Sequence, residues 1–188
     1  MIRVDTYCAE STIEKLLEEI SDSKLVLISS EKLFYTDLIS IKILEYILKK
    51  NPHLKAIIYL TDGELDYLLM QLSDVEGSRV QLVRYVDLST LFTHISRAYL
   101  VPELYSNTVV LVPLTRIYIT TSGSLKSILK IRPIVVELVV LLKGILGRVE
   151  SKSLVTVHRG YVKILKRYVD VHISVTSETE FEVTRVVN

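Results

Sequence analysis

The chain has 188 residues, of which 49 % are apolar and 24 % charged, which is enough for one folded domain with a substantial core and excludes a disordered or fibrous protein. A single cysteine, Cys8, excludes an internal disulfide framework and fits a reducing, cytoplasmic setting. The formal net charge is +1, yet residues 1–76 carry 8 Lys/Arg against 14 Asp/Glu and residues 77–188 carry 15 against 8, so an acidic first part precedes a basic second part.

The start, Met1-Ile2-Arg3-Val4-Asp5, reaches an acidic helix too soon for a signal peptide. Residues 10–20 read as an amphipathic helix, because Ile13, Leu16, Leu17 and Ile20 recur at helical spacing and Ser11 or Thr12 can cap it. Lys24 to Ile28 reads as a buried strand. A loop and a helix over about 36–49 follow, with Ile39, Ile41, Ile43, Leu44 and Ile47 on the inner face. Leu54 to Leu60 is the next strand, ending at Thr61-Asp62-Gly63, and 65–72 is a short helix. Val80 to Val86 is a third strand. Ser89 to Leu100 is helical, with Asp87 or Ser89 as cap.

Val109 to Val112 is a wholly apolar strand. Residues 114–131 read as a long loop, and Pro133 suits the first turn of a helix to about Leu146. The apolar run Ile134 to Leu142 is interrupted by Glu137 and is too short to span a membrane, so it reads as a buried helix. Ser153 to Val157 is a fifth strand. Val169 to Val175 and Glu180 to Val186 alternate in polarity around a short turn, the pattern of an antiparallel hairpin. Strands apolar on both faces and separated by helices predict a three-layer α/β/α domain over 1–188, with a mainly parallel sheet and a C-terminal antiparallel hairpin.

Five segments, in order, resemble the core of the RecA, RadA and KaiC ATPases. Thr12-Ile13-Glu14-Lys15-Leu16-Leu17 is similar to the helix before that family's first strand. Leu25 to Thr36 stands at the place of its strand, phosphate loop and helix. Ile58 to Glu64 is similar to a strand ending in an acidic turn. Val109 to Arg116 is similar to the strand that carries a metal-directing Asp. Leu154 to Val157 with the hairpin beginning Val169-Asp170 is similar to its closing strands.

The resemblance breaks where nucleotide chemistry would lie. A phosphate loop needs glycines for close backbone approach and a Lys for the β/γ charge. This chain has Ser29, Ser30, Glu31, Lys32, Leu33, Phe34, Tyr35 and Thr36 there. With Thr36 in the Mg²⁺-ligand place, Phe34 and Tyr35 replace Gly and Lys, and Lys32 is out of register. Val112 replaces the metal-directing Asp, and Asp62 alone stands near the place of the catalytic Glu. The resemblance thus implies an inactive RadA-like paralogue with no ATPase activity, no cofactor and no metal.

No histidine among His53, His94, His158 and His172 has a Cys or His partner at metal-ligand spacing. His94 reads as a surface residue, and His172 as packed or at a sheet edge. Neither a hydrolase elbow nor a dinucleotide fingerprint is present. The segment His158 to Tyr168 holds Arg159, Lys163, Lys166 and Arg167 with Tyr161 and Tyr168 and no acid. Cations can engage phosphates and aromatics can stack on bases, but Tyr161, Ile164, Leu165 and Tyr168 can equally pack inward. In the resemblance this is a DNA-contacting loop, and the loop after the fourth strand, with Arg116, Lys126, Lys130 and Arg132, is a second one. Both would lie at the sheet's carboxyl end.

The implied function is assistance to homologous recombination or DNA repair in the cytoplasm, with single- or double-stranded DNA, a RadA-type recombinase or another paralogue as partner, in a homo- or hetero-oligomer and away from membranes. A degenerate KaiC-like protein-interaction subunit is the alternative. A small-molecule site built from Thr61, Asp62 and Thr115 is the third reading.

Overall fold

The computed structural model of the protein describes residues 9–60, 77–114, 125–177 and 180–186, with residues 9–12, 33, 34 and 125–130 described by their backbone alone. In chain order the elements are α1 (Ala9–Ile20), β1 (Leu25–Ser30), α2 (Leu33–Lys50), β2 (Lys55–Leu60), β3 (Val80–Arg84), α3 (Leu88–Leu100), β4 (Thr108–Pro113), α4 (Leu125–Leu146), β5 (Ser151–His158), α5 (Val162–Leu165), β6 (Val171–Val175) and β7 (Phe181–Arg185). The strands form one sheet in the order β3-β2-β4-β5-β1-β6-β7. Every pairing is parallel except that of β6 with β7.

Side chains alternate between the faces of a strand. Val26 and Ile28 of β1, Val109 and Leu111 of β4 and Leu154 of β5 share one core with Leu16 and Ile20 of α1 and Ile39, Ile43, Leu44 and Leu48 of α2. Leu25 and Leu27 of β1, Val110 and Val112 of β4 and Val155 and Val157 of β5 share the other with Leu91 and Ile95 of α3 and Leu138, Val139 and Leu142 of α4. That is the expected three-layer α/β/α arrangement with its antiparallel C-terminal hairpin. Each such aliphatic side chain contributes about 1.5–3 kcal/mol by leaving water. The inner strands β1 and β4 are buried along their whole length. The edge strands β3 and β7 are half-exposed.

Each of the helices α1 to α4 has a distant cation at its C-terminal carbonyls. Lys152 Nζ donates to Ile20 O at 2.6 Å, at the end of α1. Arg79 donates to Leu48 O and Asn51 O, both at 2.8 Å, at the end of α2. Arg148 donates to Tyr99 O at 3.0 Å in α3, and Lys24 Nζ to Leu146 O at 3.0 Å in α4. These bonds satisfy carbonyls that lack an intrahelical partner and oppose the negative helix end. Burial lowers the Lys152 pKa against the raising influence of Asp22 and Asp170. Three of these cations, Arg79, Arg148 and Lys152, come from the basic second part, so part of its charge is used within the fold.

Several expected boundaries differ, three helix starts among them. Helix α1 begins at Ala9, so Ser11 and Thr12 lie inside it rather than at its cap. Helix α2 begins at Leu33, not near residue 36. Residues 125–131, expected in a loop, are the first part of α4, and Pro133 lies inside that helix instead of in its first turn. Proline there loses one backbone bond; Pro133 is exposed, so the carbonyl one turn earlier can turn to water. Helix α4 is also less buried than expected, because Ile134 and Val140 stay exposed. The expected helix over 65–72 lies outside the described residues. Among the described residues no helix is long and apolar enough to cross a membrane.

Candidate nucleic-acid interface

The segment set against a phosphate loop is not a loop. Strand β1 runs through Ser30 and α2 starts at Leu33, leaving Glu31 and Lys32 as the whole connection. Ser29 sits within β1, opposite Val157 and Ser174, and is fully buried. Its hydroxyl lies 2.9 Å from His172 Nε2. The Ser30 hydroxyl accepts from Lys32 N at 3.0 Å and closes the turn. Lys32 turns its ammonium toward the Tyr35 ring, 5.4 Å from the centroid. Tyr35 is half-buried against the α1/α2 core. Thr36 is fully buried, and its hydroxyl has no partner among the described residues. Phe34 lies in the first turn of α2, its side chain outside the described residues. Val112 is buried mid-strand in β4, and Asp62 lies outside the described residues. A two-residue turn is too short to wrap around a triphosphate as a phosphate loop does.

The basic segment is not a loop either. After β5 the chain makes a 3-10 turn at Arg159–Tyr161, the helical turn α5 and a further 3-10 turn at Lys166–Tyr168, then enters β6. Strands β5 and β6 flank β1 and both run parallel to it, so this segment is a crossover passing over β1. Tyr161, Leu165 and Val169 recur every four residues and sink into the α3/α4 core, with Val162 and Tyr168 packed beside them. Arg159, Lys163 and Arg167 fall at the same spacing on the exposed side, and Lys166 is half-exposed. The Arg167 guanidinium lies 4.8 Å from the Tyr168 ring centroid. Tyr161, expected as a stacking group, is therefore a core residue, and its buried ring is not presented to a base.

Contrary to expectation, the cations do not all gather at the carboxyl end. Arg159 does, because Ser30 and His158 stand opposite each other in register and Arg159 follows directly. The end of the crossover reaches the amino edge, where Asp170 Oδ2 accepts from Lys24 N at 3.0 Å and Leu25 N at 2.8 Å. Lys166 and Arg167 thus stand near the opposite edge from Arg159, and the four cations form a stripe across one face.

At the carboxyl end the helix after β1 covers one face of the sheet and the crossover after β5 covers the other, which makes the β1–β5 junction the sheet's switch point. Glu31 Oε1 and Arg159 Nη1 meet there at 2.7 Å, with side chains 71 % and 65 % exposed. His158 Nδ1 accepts from Gly160 N at 3.1 Å and fixes the start of the crossover. No known family model matches the chain, and no curated protein does.

The other expected site residues scatter. Arg132 is exposed on α4. Lys126 and Lys130 belong to the helical first part of α4, their side chains outside the described residues. Arg116, Thr61 and Thr115 lie outside them altogether. Helix α3 is capped as expected, Asp87 accepting from Thr90 N at 2.7 Å. His94 is half-buried rather than at the surface, edge-on to Tyr59 at 6.4 Å. Among the described residues no three His, Cys, Asp or Glu side chains group to hold a metal.

Sequence reasoning missed an open cavity of about 530 Å³ at the amino edge, lined by Asp22, Lys24, Lys50, His53, Glu150 and Lys152 among others. It gathers the ends of α1 and α2 and the starts of β4 and β5, which no local sequence signal joins. Its Lys24 and Lys152 already serve helix ends.

Proposed function

We propose that this protein is a non-catalytic RecA/RadA-like paralogue that binds nucleic-acid phosphates through the crossover and assists recombination or DNA repair in the cytoplasm without hydrolysing ATP. The observation that carries the reading is the crossover itself, an acid-free segment that buries its apolar residues and keeps Arg159, Lys163, Lys166 and Arg167 on its outward side. A stripe of cations without an exposed ring suits backbone contact, which is sequence-tolerant and salt-sensitive. The two-residue turn after β1 supports the absence of ATP chemistry. The order of elements fits the resemblance, and a recombinase or paralogue is the partner it suggests.

The test is a salt titration of pure protein with single-stranded oligothymidylate. Log affinity should fall linearly with log salt, by about 0.7 for each phosphate contact made. No binding even at low salt contradicts the reading.

One observation favours a protein-interaction subunit of KaiC-like descent instead. Leu100, Val101 and Leu104 are exposed together after α3, at 78 %, 51 % and 59 %. Exposed apolar residues in a group suit a protein partner. A Leu100→Ser, Leu104→Ser double variant that abolishes recombinase co-purification while leaving DNA binding intact would favour it.

A further inference from the structure

We propose that the Arg159 guanidinium is an anion subsite that the chain fills with its own Glu31 carboxylate, so that Glu31 is a built-in competitor of phosphate. The inference rests on the nucleic-acid reading above and assigns a regulatory contact within that interface. Four observations carry it. The Oε1–Nη1 contact of 2.7 Å is a charge-assisted hydrogen bond with the geometry that a phosphate oxygen would adopt on the same guanidinium. Glu31 belongs to a two-residue turn between a buried strand and a long helix, so its backbone is fixed beside Arg159 and only its side chain can swing away. The parallel register of Ser30 with His158 sets the two residues side by side at the switch point, across elements more than a hundred residues apart in sequence. No acid occurs between residues 151 and 169, and Asp170 is committed to the N–H groups of Lys24 and Leu25, so among the described residues Glu31 is the carboxylate that meets the start of the crossover.

The pair is poised for exchange rather than for stability. Both side chains are mostly in water, and an exposed ion pair holds its partners with an equilibrium constant of only about one to five. An incoming phosphate oxygen takes the guanidinium and Glu31 turns to solvent; no covalent bond changes. The carboxylate left nearby repels the phosphate and weakens the contact. Glu31 therefore tunes affinity downward at the carboxyl end of the stripe.

The experiment is a double-mutant cycle read by fluorescence anisotropy with labelled single-stranded oligothymidylate at low salt, on full-length protein. The variants are Glu31→Gln, Arg159→Gln and the double variant, with Glu103→Gln as a charge control. Glu103 is exposed in the turn after α3, away from the crossover. Glu31→Gln should bind about two- to fivefold tighter than wild type. The gain should vanish in the Arg159→Gln background and exceed that of Glu103→Gln. Equal gains in Glu31→Gln and Glu103→Gln, or a gain that persists without Arg159, would overturn the proposal while leaving the interface standing. If wild type and every variant fail to bind, the nucleic-acid reading falls and the competitor falls with it. Because both side chains are largely exposed, unchanged melting midpoints should accompany all four proteins.

Discussion

The Ser29 hydroxyl and the His172 imidazole meet at 2.9 Å between β1 and β6, buried beneath the crossover. Burial, reinforced by the charge of Lys166, pushes the His172 pKa down from 6.5 to about 4. The folded state therefore holds the ring neutral while the unfolded chain binds a proton below about pH 6.5. Stability contributed by the neutral ring is full above that pH and is lost as pH falls toward about 4. Urea midpoints measured across this range should drop with acid, and His172→Gln should flatten the drop. An equal acid dependence in the variant would contradict the assignment.

Tyr59 and Tyr105 join their hydroxyls in a buried pair. Burial raises both phenol pKa values, and Tyr105 is raised further by Tyr59. Replacing one leaves the other without its partner, at a cost of about 1–3 kcal/mol. Tyr59→Phe alone should lower stability by that amount, and Tyr59→Phe with Tyr105→Phe should recover most of it. Additive losses in chemical denaturation would show that the two hydroxyls act independently.

Helices α3 and α4 pack closely at Gly144. A Cβ there would stand 2.7 Å from Tyr99 Cε2, and the Tyr99 ring is backed by the Arg148 guanidinium at 4.4 Å. Alanine favours a helix by about 1 kcal/mol over glycine, but overpacking costs about 1–3 kcal/mol. Gly144→Ala should therefore lower the melting midpoint, and adding Tyr99→Leu should reverse the loss. A midpoint that rises in the single variant would mean that the ring yields freely.

The turn after β1 sets a further expectation. With Ser29 locked in the sheet, a two-residue connection and Thr36 buried, Mg²⁺-ATP should neither bind measurably in calorimetry nor turn over. Saturable binding together with phosphate release by pure protein would contradict this.

Much of the sheet was legible because buried strands such as Val109 to Val112 are continuous apolar runs bounded by polar turns. The crossover was legible only in its inward-packing alternative. Its cations marked it as a loop, although Tyr161, Leu165 and Val169 already carried a four-residue period. The early start of α4 was hidden by Pro133, which normally marks a helix beginning rather than an interior. The start of α2 at Leu33 was obscured because Lys32 makes no side-chain cap bond there. The Glu31–Arg159 and Ser29–His172 contacts depend on which strands lie beside β1, and only the fold supplies that order.

Whether the outward cations of the crossover hold nucleic-acid phosphates is tested by comparing wild type with Lys163→Glu, Lys166→Glu in equilibrium binding to oligothymidylate at low salt. Lys163 is exposed, Lys166 is half-exposed, and neither belongs to the core clusters, so the fold should survive reversal. Affinity should fall about tenfold or more and the salt slope should shrink by about 1.4, the loss of two contacts. Undiminished binding with an unchanged slope would place the interface elsewhere.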